Sequence, residues 1–545
     1  MIHAPFRYIF YGSAIATIGV IELLSKFVHP WFSYGYLLFL PSFLIGMIDI
    51  LQRKQAIRRN YPLLGRMRYL FETVRPEIQQ YFVESDIDGR PFNREMRVNV
   101  YQRAKRQLNT RPFGTKLDVY KEGYEWINHS MTPVDHHHSE APRVIVGGPD
   151  CKQPYSTSLF NISAMSFGSL SKNAVMALNE GAKMGNFYHN TGEGGISSYH
   201  LNPGGDVVWQ IGTGYFGCRT SDGNFNPETF EKRANLPNVK MIEIKLSQGA
   251  KPGHGGILPK QKITPEIAEI RDVPMDQDVL SPPFHKAFNT PKGLLQFVKQ
   301  LRDLSNGKPI GFKLCLGNDY EFLAICKAMV QTGIKPDYIV VDGSEGGTGA
   351  APLEFSDSIG MPLTDGLIFV HNALVACGLR DDIKICANGK VTTAFNIVRQ
   401  IALGADFCGS ARGMMFALGC IQALQCHSNS CPTGVATQDP YLVEGLVVKH
   451  KSKRVFQYHQ RTMEHVLEIL GAAGLNSTDE LKPNHIYRRL SQAKVRRLGE
   501  IYNYLKPNDL INGTAPETWQ KAWELASAET FQPSDELVAC SPASC

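Results

Sequence analysis

Three cysteines, Cys420, Cys426 and Cys431, are spaced C-x5-C-x4-C, with Pro432 directly after the last. Thiolates are soft ligands that suit zinc or iron–sulfur clusters. Structural zinc asks for a fourth ligand, which His427 could supply. Three thiolates alone suit a three-iron cluster with one open corner, and the Cys-Pro ending is shared with ferredoxin sites. Three ordinary buried thiols are the plain alternative. A second set of chemistry-bearing residues is scattered through short glycine-rich segments: Ala164-Met165-Ser166, Glu193 in Asn190–Gly195, Gln248 and Lys251 in Lys245–Gly253, Lys313, Gly346-Gly347, Asn388-Gly389-Lys390 and Gly409-Ser410. Glycines expose backbone N–H groups, and such loops ahead of helix N-termini hold phosphate.

These segments share a position in the chain's punctuation. Short apolar or β-branched runs recur at 159–165, 186–189, 207–210, 241–245, 309–315, 338–341, 383–387 and 405–408. Amphipathic stretches such as 174–184, 294–304, 321–332 and 393–403 alternate with them. Eight strands with intervening helices predict an α/β fold, a (β/α)8 barrel over residues 156–450, since no dinucleotide fingerprint marks an open doubly wound sheet. Chemistry in such a barrel sits at the C-terminal strand ends, and the glycine-rich segments come after the runs one by one. The loops after runs seven and eight predict a phosphate site. Lys313 on run five points to the same mouth, where it could face a reduced flavin or pair with a barrel acid such as Asp342.

Beyond the barrel, 545 residues with 43% hydrophobic and 20% charged side chains exclude a disordered, collagen-like or wholly membrane-embedded chain. A net charge of +6 without a base-stacking or DNA-reading motif predicts no nucleic-acid partner. Twelve cysteines are too few for a disulfide scaffold and suggest a reducing compartment. Residues 1–51 read as a transmembrane hairpin: Tyr8–Leu24 is apolar apart from Glu22, and Trp31–Leu51 apart from Asp49. The basic run Arg53, Lys54, Arg58, Arg59, Arg66 and Arg68 places the rest of the chain on the cytoplasmic face of the inner membrane. Residues 52–155 read as a basic connecting region that could lie on lipid or cover the barrel. His136-His137-His138 reads as a solvated loop there, because adjacent histidines diverge. Residues 451–545 read as a helical extension capping the barrel bottom. It comprises His459–Leu470, the basic amphipathic Ser491–Leu505, and a loose tail whose Cys540 and Cys545 are poor ligands.

From Phe160 to Leu475 the chain resembles the FMN and iron–sulfur synthase domain of glutamate synthases. The resemblance rests on ISAMSFGSLS, NTGEGG, IKLSQGAKPGHGG, SPPFH, GSEGGTGAAP, ANGKV and GCIQALQCHSNSCPTGVATQDP. It implies an FMN-type barrel and a 3Fe–4S cluster on Cys420, Cys426 and Cys431. Ala164, Met165, Ser166, Gln248, Lys313, Gly346, Gly347, Asn388, Gly389, Gly409 and Ser410 would hold the flavin. A keto acid would be bound by Lys251 and Arg271 beside Glu193, since arginine grips a carboxylate bidentately. The plain alternative for Arg271 is a surface ion pair near Glu269 or Asp272. The implied activity is an FMN-dependent oxidoreductase on CH-NH2 donors: an imine of 2-oxoglutarate and ammonia is reduced to glutamate. Electrons would come from ferredoxin or another donor protein. Two departures matter. Ile257 stands where the family has a glutamine, and His254 where it has a glutamate. Neither the amidotransferase domain with its nucleophilic cysteine nor the C-terminal β-helix is expected here, with Ile2 at position two. A different keto or amino acid, or a non-catalytic membrane-tethered electron-transfer subunit, are the alternative functions.

Overall fold

A computed structural model of the chain describes residues 6–107, 110–136 and 139–533. Ile2, His137, His138, Cys540 and Cys545 lie outside the described residues. The chain divides into two compact units, one ending at Arg94 and the other beginning at Glu95.

In the first unit, helices α1 (Phe6–Phe27) and α2 (Tyr36–Leu51) are joined by a 3-10 turn over Pro30–Gly35. The segments Phe6–Phe27 and Pro30–Leu51 are each 22 residues and are long and apolar enough to cross a bilayer. Their apolar side chains face outward, Ile15 being 72% and Leu38 80% exposed. Both acids that interrupt the apolar runs are satisfied. The Tyr36 hydroxyl donates to Glu22 (2.9 Å), and buried Asp49 accepts from Arg58 Nη2 (2.6 Å), Arg66 Nε (2.8 Å) and the Leu63 N–H (3.2 Å). Part of the basic run is therefore fixed on Asp49.

The second unit is built on eight strands: β1 (Phe160–Ile162), β2 (His189–Asn190), β3 (Val207–Ile211), β4 (Val239–Lys245), β5 (Ile310–Leu314), β6 (Tyr338–Asp342), β7 (Lys384–Asn388) and β8 (Phe407–Ser410). They pair in chain order and close, β8 pairing in parallel with β1 through Gly409 opposite Asn161. Every residue of β3, β5 and β6 is buried, which is why these strands read as unbroken apolar runs rather than alternating ones. The N-terminal end of the barrel is closed by an antiparallel hairpin, Arg143–Val146 with Tyr155–Ser158. Its Val146 joins Tyr188, Val208, Met241, Tyr338, Val340, Cys386 and Phe407 in the interior, and Asp337 ahead of β6 accepts from the Gly148 N–H (2.7 Å). The hairpin straddles the 155/156 boundary drawn from composition.

Around the strands lie α3 (Lys172–Gly185), α4 (Pro291–Leu304), α5 (Asp319–Thr332), α6 (Leu363–Ala376), α7 (Ala394–Ala402) and α8 (Val448–Ala472). Ser171, Thr290 and Thr393 cap α3, α4 and α7 by accepting from backbone N–H groups in the first turn. The long α8 packs between α3 and α7 on the barrel flank, so it completes the helical ring. The C-terminal helix Glu517–Leu525 lies on α5. The cap expected over the barrel bottom is thus a flank packing. The cysteine loop intervenes between β8 and α8, which hides this helix's membership of the ring from a local reading.

The helical expectation for Ser491–Leu505 is corrected. Val495–Arg497 is a strand paired with Tyr487–Arg489, and only Leu498–Ile501 is helical. The cause is distant: Glu125–Ile127 pairs with Ile486–Arg488, and Trp126 stacks on Tyr487 at 5.7 Å. A partner more than 350 positions away leaves no mark in local periodicity. His136 is held rather than solvated, its Nε2 lying 2.8 Å from the Leu475 carbonyl.

Ring closure rests on a close helix crossing. A Cβ at Gly181 of α3 would lie 2.8 Å from Val455 of α8 and 2.9 Å from the Ser452 carbonyl. Overpacking of this kind costs about 1–3 kcal/mol. Gly181→Val is expected to lower stability by that amount and Gly181→Ala by less, because alanine's helix propensity offsets about 1 kcal/mol. Urea unfolding midpoints check the order.

Candidate active site

At the C-terminal mouth of the barrel the buried charges form linked pairs. Glu193, in the loop after β2, takes the Lys245 ammonium from the end of β4 at 2.6 Å. Burial alone would raise the Glu193 pKa, but Lys245, then Lys251 and Arg271, outweigh it and hold the carboxyl below the ordinary range. Its seat is made by two glycines: a Cβ at Gly212 would come within 2.7 Å of the Glu193 side chain, and one at Gly256 within 2.5 Å of Oε1. Deeper in, Lys313 of β5 pairs with Asp342 of β6 at 3.1 Å, the pairing that the sequence left open. Burial works against this ammonium, but Asp342 and Glu243 outweigh it and raise its pKa. Glu243 of β4 accepts from Gln210 Nε2 at 2.5 Å, and burial pushes its carboxyl pKa up.

Lys251 and Arg271 are buried, 2% and 4% exposed. Lys251 Nζ donates to the Ala350 carbonyl (2.7 Å), and burial followed by Lys245 brings its pKa down to about 8. Arg271 ends the helix Pro265–Arg271, capped by Thr264, and is no surface ion pair. Its Nη2 donates to the Phe167 carbonyl (2.9 Å) and reaches Ser166 Oγ at 3.4 Å, while the guanidinium carbon stands 5.5 Å from the Phe216 ring centroid. Burial lowers its pKa to about 10, and its Nε is buried without a hydrogen-bond partner. A Cβ at Gly194 would lie 2.5 Å from Nη2, so the NTGEGG glycine makes room for the guanidinium. The structure therefore gathers Glu193, Lys251 and Arg271 on one side of the mouth, with Lys313 below.

The loops assigned to a flavin line the same rim. Met165 N–H donates to the Asn190 carbonyl (3.1 Å), and neutral His200, its pKa lowered to about 4 by burial, stands 3.3 Å from the Met165 carbonyl. Asn388 Nδ2 donates to Ser163 Oγ (2.9 Å), tying β7 to β1. Ser410 Oγ donates to the Val391 carbonyl (2.6 Å), and Gly389 has φ +150°, a backbone state that favours glycine. Arg412 Nη2 holds the Glu345 carbonyl (2.6 Å), fixing the 345–347 turn under a buried guanidinium. Gln248 Nε2 lies 3.4 Å from Thr348 Oγ1. The donor set, cationic with glycine-exposed amides, fits an anion-tailed cofactor.

The cysteine loop comes directly after the helix Arg412–Leu418. Among the described residues no three His, Cys, Asp or Glu converge on a single metal ion. A cluster would bind each sulfur to its own iron, so this geometry argues against structural zinc and leaves the cluster reading standing. The three thiols feel one another and are embraced by donors and cations. Cys420 Sγ accepts from the Gln422 N–H (3.4 Å), and burial raises its thiol to about 12. At Cys431 the Thr433 hydroxyl and the N–H groups of Ala436, Thr433 and Val435 overcome burial and lower the pKa. That donor set fits an anionic thiolate-bound group.

The sequence missed Lys245, Glu243, Arg412 and Lys262 as functional candidates. Glu243 and Lys245 carried a signal, because charges at alternate positions of an apolar strand must share one face. Removing either member of the Glu193–Lys245 pair strands the other in the interior. Lys245→Met and Glu193→Gln are each expected to cost about 3 kcal/mol. The double variant should lose less than their sum, a coupling that a double-mutant cycle on unfolding midpoints measures.

A family description, the conserved region in glutamate synthase, matches residues 97–476. The chain is 36% identical over 515 residues to the glutamate synthase large subunit-like protein YerD of Bacillus subtilis, covering 85% of this chain and 98% of that one. It is 34% identical to an archaeal NADPH glutamate synthase of Methanocaldococcus jannaschii, over 59% of this chain and 60% of that protein. Against the large chain of the Bacillus subtilis NADPH glutamate synthase the identity is 33%, over 59% of this chain and 20% of that one. The chain thus spans nearly all of the first relative and only part of the others. With that match laid over the buried mouth and the cysteine loop, the chain belongs to the glutamate synthase family.

Proposed function

We propose that the protein is an FMN- and 3Fe–4S-dependent oxidoreductase that reduces the imine of 2-oxoglutarate and ammonia to glutamate. The observation that carries this reading is the convergence of Lys251 and Arg271 beside the Glu193–Lys245 pair at the mouth of a family barrel. FMN supplies hydride transfer when bound, and the cluster one-electron relay. The chain's residues supply binding and exclusion of water. Arg271, with an unpartnered Nε, and Lys251 present positive charge to a carboxylate in a dry pocket, where each charge-assisted hydrogen bond is strong. Glu193 keeps those cations from repelling one another in the free enzyme. Lys313, fixed by Asp342, places a cation at the barrel axis below the rim. Cys420, Cys426 and Cys431 hold the cluster, and ferredoxin or another electron-donor protein reduces it.

The apolar, outward-facing α1 and α2 support an anchor in the cytoplasmic membrane, with the basic residues after α2 placing the barrel on the cytoplasmic side. Carbonate-washed membranes should retain the full chain.

Ile257 favours a second substrate. It stands on the short strand Ile257–Leu258, one residue from the Gly256 backbone that touches Glu193. An aliphatic side chain cannot bond a distal carboxylate, so a keto acid with an apolar end is the alternative. A screen of keto acids with ammonia, read as reoxidation of reduced enzyme, separates the two; turnover of 2-oxoglutarate at ordinary rates removes the alternative.

Anaerobically purified protein should show flavin absorbance and a 3Fe–4S EPR signal. Cys431→Ala should lose the EPR signal and keep the flavin bands; a protein with neither sinks the reading. The Lys251 ammonium is charged below pH 8 and lost above it. KM for the keto acid should therefore rise about tenfold per pH unit above that point, and the rise should vanish in Lys251→Arg, whose charge persists.

A further inference from the structure

Lys262 is an unusual cation. It ends the 3-10 turn Lys260–Lys262, between the strand carrying Ile257 and the helix carrying Arg271. It is 3% exposed, yet among the described residues it makes no ion pair with a carboxylate. Its Nζ donates to the Ser169 carbonyl at 3.0 Å and to the Ala436 carbonyl at 2.9 Å. The first belongs to the loop after β1, the second to the end of the cysteine loop. Arg271 acts on it as a repelling neighbour, and the groups that favour its charge are Cys426 and Cys431.

A buried ammonium beside a second cation is costly unless negative charge stands near it. Only the thiol groups can supply that charge here, and they do so when ligated as thiolates. The surrounding stitches point the same way. Asn429 Nδ2 donates to the Gln261 carbonyl (3.0 Å), Ser171 Oγ to the Gly434 carbonyl (2.7 Å), and Gln438 Nε2 to the carbonyls of Gly168 (3.1 Å) and Leu170 (2.9 Å). The cysteine loop is thereby pinned to the β1 loop, and Lys262 is the charged member of the seam.

We infer that Lys262 is a positioning residue and fixed countercharge for the iron–sulfur centre, raising its reduction potential while holding the cysteine loop against the β1 loop. This rests on the cluster reading of Cys420, Cys426 and Cys431. A nearby positive charge stabilises the state that has gained an electron, so its removal must lower the potential.

The test is an EPR-monitored redox titration of the purified full-length holoenzyme, with iron and flavin content measured for wild type, Lys262→Met and Lys262→Arg. A wild type without cluster signal defeats the cluster reading itself. With the cluster present, Lys262→Met should weaken cluster reduction about tenfold, a fall of about 59 mV for one electron, while Lys262→Arg stays near wild type. Loss of iron in Lys262→Met with retention in Lys262→Arg supports the countercharge equally. An unchanged potential with full iron in Lys262→Met overturns the proposal. Loss of iron in both variants also overturns it, because arginine keeps the charge.

Discussion

Charge buried inside a barrel must be matched, and the mouth of this barrel depends on the match between Glu193 and Lys245. The carboxylate sits where two glycines leave space, and its field reaches Lys251 and Arg271 as well. Without it, three cations from three different elements would face one another in a site that water scarcely enters. With it, they can wait there for an anion. The Lys313–Asp342 pair repeats the arrangement one layer down. A low-dielectric mouth makes such pairs strong and makes their disruption expensive.

The architecture answers this demand for order. The hairpin 143–158 closes one end of the barrel with Val146, so the interior is dry below the charged layer. The β1 loop is held from several sides, by Asn190, His200, Arg271 and Lys262. That loop is the common neighbour of the carboxylate-binding side, the flavin rim and the cysteine loop. Its rigidity is what would keep two redox groups at a constant separation, and family membership gives this arrangement a known type of chemistry to serve.

Much of the site is legible in the residues alone. Eight apolar runs are readable because parallel strands buried on both faces need continuous hydrophobic residues, and the chemistry-bearing segments come after those runs in order. The cysteine spacing and the NTGEGG and AKPG segments are equally plain. What stays hidden in the sequence is the partners. Lys313 reads the same whether it faces a flavin or Asp342, and Lys262 resembles any lysine in a polar turn. The strand at 495–497 reads as helical because its pairing partner lies near residue 487 and, beyond that, at 125–127.

The amino-acid order by itself determined the alternation of strand and helix, the thiol trio, the apolar N-terminal pair of helices and the glycines at each strand end, since all of these are local patterns of size, polarity and backbone freedom. The tertiary structure alone decided which acid neutralises which base, that α8 closes the ring, and that a lone ammonium bridges the cysteine loop to the β1 loop. Those outcomes depend on distances between residues far apart in the chain. Electrostatics and packing act through space, and only the closed barrel brings those groups within reach.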